Sequence, residues 1–154
     1  MAPDRNDLPD DLSPSCTALA EYWRSIHPDG GLPGRRHFDP TDIPRLLPSL
    51  WLLDVDRDPL RFRIRLVGTR LTEFAGRDST GHWLDDVQTN FDAGPIMEVL
   101  SRVVNQGRPG WQRADSQSRP DKTWVVLESI YFPLAADGKH VDRILCLTDI
   151  LPVD

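Results

Sequence analysis

The densest group of chemically capable side chains lies in one short stretch holding Asp78, Ser79, His82, Asp85 and Asp86. Serine, histidine and aspartate are the residue types of a nucleophilic triad. Triad members normally come from separate elements that converge in space, and closeness in sequence does not supply that geometry. Asp78 and Ser79 are turn formers ahead of Gly81, which accounts for both without catalysis. Gly76 and Gly81 have the spacing of the two P-loop glycines, but His82 and Trp83 stand where that loop needs lysine and a hydroxyl residue. The P-loop signal is therefore void.

Glu128 is a different case. In the run from Trp124 to Phe132 it alternates onto one strand face with Trp124, Val126, Ile130 and Phe132, while Val125, Leu127, Ser129 and Tyr131 share the other. If the Glu128 face is the inner one, a carboxylate enters apolar surroundings and needs an arginine or a ligand donor as partner. On an outer face or at a bulge it needs neither, and the sequence leaves both placements open. Cys16 and Cys146 fit no metal or redox spacing and read as two free thiols. Arg35, Arg36 and His37 form a short basic cluster, but Asp39 and Asp42 follow at once, so the cluster reads as a solvated loop rather than a phosphate site.

The elements that must position these residues follow from periodicity and punctuation. Met1 to Leu12 is polar and proline-bearing, a lead-in expected to be mobile. Ser13 as cap and Pro14 at the first helical position open a helix whose apolar stripe is Leu19, Tyr22, Trp23 and Ile26. Pro28 and Asp29-Gly30-Gly31 end it. The stripe requires cover, either from its own domain or from a second chain. A shorter helix is expected from Asp39 and Pro40 through Ile43, Leu46 and Leu47 to Pro48. Leu50 to Leu53 then reads as a buried strand. After the turn at Asp56-Arg57-Asp58-Pro59, Leu60, Phe62, Ile64 and Leu66 alternate with Arg61, Arg63 and Arg65, a strand with one core face and one wet face. Thr69 can cap a short helix with Leu71 and Phe74, closed by Gly76. His82 to Leu84 with Val87 suggests another helical turn, and Pro95 opens a longer helix with Ile96, Leu100 and Val103 inward and Gly107 as its stop. Three strand-like runs complete the chain: Gly110 to Ser116, Trp124 to Phe132, and Val141 to Ile150, the last two joined through Asp137-Gly138.

Two strands, clustered short helices, one longer helix and three strands make an α+β order, an antiparallel sheet with helices over one face. The space between that face and the central helices is a natural pocket.

The pattern resembles a PAS domain, and more narrowly the stand-alone bacterial PAS proteins of the PAS_5-like family. The resemblance rests on the segments 32–40 (LPGRRHFDP), 65–71 (RLVGTRL) and 74–81 (FAGRDSTG), then on Phe132-Pro133-Leu134, Asp137-Gly138 and Thr148-Asp149-Ile150, in the family's order from about Tyr22 to Ile150. It implies a five-stranded antiparallel sheet of PAS type with helices on one face and an extra N-terminal helix. It also implies a sensory or regulatory role through a small ligand or a partner protein. Under it, residues 13–48 form an N-terminal helical extension and 49–154 the PAS-like domain. Phe74, Trp83, Leu84, Ile96, Leu100, Val103, Trp124, Glu128, Ile130, Phe132 and Leu145 would line its pocket. The extra helix, through Leu19, Tyr22, Trp23 and Ile26, would offer an interface.

Departures from the pattern bear on cofactors. Haem-holding relatives use a histidine on or beside the long helix; Phe91 to Gln106 has none, and His82 is the one candidate nearby. Flavin photosensors of the superfamily need a reactive cysteine in an Asn-Cys-Arg sequence before that helix, and no cysteine stands between Cys16 and Cys146. The expectation is a domain with no cofactor and no metal.

Composition limits the rest. With 39% hydrophobic and 27% charged residues over 154 positions, the chain suits one globular domain able to bury a core. A net charge of −6 argues against nucleic-acid binding. No apolar run reaches the roughly 20 residues of a membrane span, and the N-terminus lacks a signal-peptide layout, so a cytoplasmic location is expected. Three functions compete. The first is a non-enzymatic sensor that binds a small metabolite and is expected to act through protein contact, since these 154 residues show no kinase, cyclase or helix-turn-helix pattern. The second is a ligand-free dimerisation or interaction module. The third is a small α+β isomerase or hydrolase with Asp85, Asp86 or Glu128 as base.

Overall fold

The computed structural model describes residues 8–87, 93–117 and 124–152. The elements are α1 (Pro14–Ser25), β1 (Leu50–Asp56), β2 (Arg61–Val67), α2 (Thr69–Ala75), α3 (Ala93–Gln106), β3 (Gly110–Gln117), β4 (Trp124–Leu134) and β5 (Arg143–Pro152). The five strands form one sheet in the order β2-β1-β5-β4-β3, antiparallel throughout. This is the α+β, PAS-type sheet that the resemblance implied.

Helices lie on both faces. Over one face sit α2, α3 and a 3₁₀ turn at Leu84–Asp86, packing Ile96, Leu100 and Val103 onto Leu53, Phe62, Ile64, Ile144 and Cys146. Over the other sits the extra helix α1, whose Leu19 and Trp23 pack onto Leu50, Leu52, Ile130, Phe132, Leu145 and Leu147. Ser13 caps α1 by accepting the Cys16 N–H at 3.3 Å, and Pro14 occupies the first turn as expected. Because both faces are covered, β4 from Leu127 to Leu134 is buried at every position, like a central strand of a two-sided sheet.

Several local expectations change. The stretch from Asp39 to Pro48 forms two separate 3₁₀ turns, Pro40–Asp42 and Leu47–Ser49, instead of one helix. Pro44 lies inside that stretch and can neither donate a helical hydrogen bond nor avoid the carbonyl four residues back. Thr69 is the first residue of α2 rather than its cap, a position taken by Gly68. Leu66, expected on the core face of β2, is 46% exposed. A bulge causes this: Leu52 pairs with Leu66 and Leu53 with Ile64, so Arg65 is the extra residue and the alternation changes phase. Val67, opposite Trp51, takes the inward place instead.

Of the lead-in expected to be mobile, residues 1–7 lie outside the described residues. Leu8 is buried in the cluster beneath α1, and Leu12 packs against it.

Candidate functional site

A cavity of about 130 Å³ lies between the sheet and its α2–α3 layer. Trp51, Ile64 and Val67 of the β1–β2 hairpin wall one side, and Leu71, Phe74 and Ala75 of α2 wall another. Leu84, Val87 and Ile96 close it from the helical layer, Leu127 and Thr148 from β4 and β5, and Arg77 and Ser79 stand as the polar rim. Local sequence explains how each part arrives there. Gly68 lets α2 start against the preceding turn: a Cβ there would meet the Pro48 and Leu47 carbonyl oxygens at 2.3 and 2.4 Å. Gly76 ends α2 with a left-handed φ of 78° and closes the last turn by donating its N–H to the Thr72 carbonyl at 2.9 Å. That reversal sends Arg77 to Ser79 across the cavity. The next residues then pair along the free edge of β2, Gly81 N–H to Ile64 O at 2.7 Å and Ile64 N–H to His82 O at 2.9 Å.

The deep wall carries one polar network. The Trp51 indole N–H donates to Thr148 Oγ1 at 3.0 Å, and the Ser129 and Thr148 hydroxyls are 2.8 Å apart. Indole is a donor only, so Thr148 accepts from it. One hydroxyl of the pair donates to the other, which leaves one hydroxyl proton for a further acceptor. Ser129 and Thr148 are both buried, and this network explains why the inner face tolerates them.

Of the residues expected to line the pocket, Phe74, Leu84 and Ile96 do so. Leu100 and Val103 belong to the same core cluster without bordering the cavity. Trp83 stacks outside it, its ring 4.2 Å from the Arg61 and 4.4 Å from the Arg63 guanidinium carbon, so the arginine row of β2 is partly a cation–π platform. Glu128, Ile130, Phe132 and Leu145 are placed differently from the expectation: they are on the opposite face, under α1, and Trp124, on the same strand phase, is 59% exposed. The inward phase of β4 is Leu127, Ser129 and Tyr131.

Glu128 has the partners its burial demands. Its Oε1 accepts the Ser13 N–H at 2.7 Å and its Oε2 accepts Arg113 Nε at 2.8 Å, across the β3–β4 pair. Burial pushes the carboxyl pKa up, but the Ser13 N–H and Arg113 outweigh it and hold the group below its ordinary value. Arg113 also reaches Asp11 Oδ1 at 2.9 Å, so this cluster fastens the start of α1 to the sheet. Asp85 and Asp86 are exposed and pair with Arg61 at 3.0 and 3.5 Å. None of the three carboxylates borders the cavity, and His82 is exposed on the β2 edge. The stripe of α1 does not face outward either. Leu19 and Trp23 are fully buried, Trp23 Nε1 donates to Pro133 O at 3.1 Å, and Tyr22 and Ile26 are half-buried against the same cluster.

Sequence reasoning missed Trp51, Ile64, Val67, Leu71, Ala75, Arg77, Ser79, Val87, Leu127 and Thr148. The opposite charges of Arg113 and Glu128, directly across one hairpin, were the available signal for the phase of β4.

A second depression, an open cleft of about 760 Å³, is lined by Arg24, His27, Gln106 and Lys139 among others. It lies at the C-terminal ends of α1 and α3, and His27 Nδ1 lies 2.8 Å from the Trp23 carbonyl oxygen there.

A family model, PAS_5 (PAS domain), matches residues 12–148. The chain belongs to the PAS domain family. No curated protein matches this PAS domain. Among solved structures it is similar to a light-oxygen-voltage domain studied with a flavin analogue, at 12% identity and TM-score 0.54, over 72% of this chain and 82% of that one. It is also similar to a fungal LOV domain photoreceptor, at 14% identity and TM-score 0.51, over 90% and 95%. The Erythrobacter litoralis EL346 blue-light activated histidine kinase matches at 15% identity and TM-score 0.51, over 76% of this chain but only 37% of that one. At these identities the likeness is one of fold.

The residues of this PAS domain can be set against a flavin or a haem. A cavity of roughly 150 Å³ accommodates benzene, whereas drug-sized ligands occupy roughly 300–1,000 Å³. The cavity therefore suits one ring and does not fit three fused rings or a porphyrin as it stands. Cys146 packs in the core beside the cavity and Cys16 lies on the other face, so neither thiol lines it. Among the described residues no group of three His, Cys, Asp or Glu could hold a metal ion, and no helix is long and apolar enough to cross a membrane.

Proposed function

We propose that this PAS domain is a non-enzymatic sensor that takes a small ligand into the cavity beneath α2 and passes its state on by contact with another protein. The observation that carries the reading is the cavity itself, walled by apolar side chains from the sheet, α2 and α3, with its few polar groups at the rim and on the Thr148 wall. A ligand there touches three elements at once, which is what lets occupancy alter a surface. Ala75→Phe tests it by placing a ring inside a one-ring cavity. Native mass spectrometry of the purified protein, before and after denaturation, should show a small molecule on the wild type and none on the variant, with the fold retained by circular dichroism. An equally loaded variant refutes the site.

A second reading, an interaction module whose partner is a second copy or a regulatory protein, is favoured by Trp111 and Trp124, 36% and 59% exposed on β3 and β4. Sedimentation separates it from the first: a ligand-free dimer supports it. Flavin is the competing occupant raised by the light-sensing structures of this fold, and a visible absorption spectrum of the purified protein decides it.

A further inference from the structure

Building on the reading of this cavity as a ligand site, we propose that its ligand is a small amphipathic carboxylic acid, its apolar body in the cavity and its carboxylate on Arg77 at the rim. The interior excludes charge: apart from Arg77, Ser79 and Thr148, every lining residue is apolar. Its volume matches a body of about one ring. The rim is the reverse. Among the described residues Arg77 is the one cation that lines the cavity, and its Nη2 donates to the Val87 carbonyl at 2.9 Å, which anchors one end of the exposed guanidinium and leaves its other donors without a hydrogen bond to any described residue.

The other arginines flanking the cavity are engaged away from it. Arg61, Arg65 and Arg70 each lie within 4.0 Å of an aspartate, Asp85, Asp54 and Asp149, and Arg63, with no carboxylate at that range among the described residues, lies over the Trp83 ring, 4.4 Å from its centroid. Arg77 has no carboxylate at that range among the described residues. The adjacent Asp78 makes no ion pair with it within 4.0 Å; its Oδ1 turns instead to the Thr80 N–H at 3.0 Å and the Thr80 hydroxyl at 2.6 Å. Ser79 adds a hydroxyl on the same rim. A planar guanidinium held at one end, beside a hydroxyl and over an apolar hollow, is a receiver for a carboxylate whose remaining atoms are apolar.

Benzoate and benzyl alcohol test this on the full chain, since they share the ring and differ in charge. Ligand-observed NMR titration of wild type and Arg77→Gln gives four dissociation constants. Benzoate should bind about ten-fold tighter than benzyl alcohol to the wild type, and Arg77→Gln should remove that preference while leaving benzyl alcohol unchanged. Equal binding of the two, or an acid preference that survives in Arg77→Gln, overturns the acid class and leaves the cavity as a neutral-ligand site. If neither probe binds the wild type, the acid proposal falls; if in addition no small molecule is released from the purified protein, the ligand-site reading falls with it.

Discussion

Replacing Trp23 by alanine separates a helix packed on its own sheet from one that waits for a second chain. The Trp23 ring is fully buried, 5.1 Å from Phe132 and 4.3 Å from His27 between centroids, and its N–H reaches Pro133 O. Truncating a buried tryptophan to alanine costs roughly 3–5 kcal/mol in transfer and cavity terms. The lost aromatic pairing and hydrogen bond add about 1 kcal/mol, giving a loss of roughly 4–6 kcal/mol. Against a total stability of roughly 5–15 kcal/mol, that is a large share. For a domain of this length it lowers Tm by roughly 8–24 °C. Urea unfolding followed by circular dichroism reads the loss, and sedimentation velocity on the same samples reads the oligomer. Trp23→Phe, which keeps one ring against Phe132 and loses the N–H and the second ring, should lose less than Trp23→Ala. A midpoint for Trp23→Ala within about 1 kcal/mol of wild type, together with a changed oligomer, would refute the intramolecular packing.

Two further outcomes are expected. Glu128 has a native pKa below its ordinary 4.5, so its stabilising contribution is present above that pH and is lost as pH falls through the lower native value. Glu128→Gln should cost about 1–3 kcal/mol at neutral pH and flatten the acid limb of a urea-midpoint profile below pH 4.5; an unchanged limb argues against the Ser13–Glu128–Arg113 fastening. Burial pushes the Cys16 thiol up to about 12 and Cys146 well above its ordinary value. Both should resist a thiol-specific disulfide reagent at pH 8 until urea unfolds the chain, and rapid native labelling of either would contradict its place in the core.

The polar connections and the inner core were unequally readable. Gly76, Gly107 and Gly138 all take left-handed φ, at 78°, 63° and 81°, at the helix stops and turn where their type placed them. Trp23 and Leu19 were legible as a stripe needing cover, but not what covers it. Arg77 carried no signal at all, because a lone arginine after a helix-ending glycine looks like any surface charge.

What the sequence by itself determined is the order of elements: the Ser13-Pro14 start, the Phe62–Ile64 alternation, the long helix to Gly107 and the Asp137-Gly138 turn all act through local backbone preference. What only the tertiary structure decided is phase. β4 is apolar on both sides because a helix lies over each face, so period two offers two equivalent faces and no amphipathic contrast to choose between them. The Arg65 bulge likewise moves Leu66 outward and Val67 inward through pairing with β1, a neighbour distant in no local pattern. The cavity and its rim follow from those choices, since they depend on which side chains meet across elements and not on any one element alone.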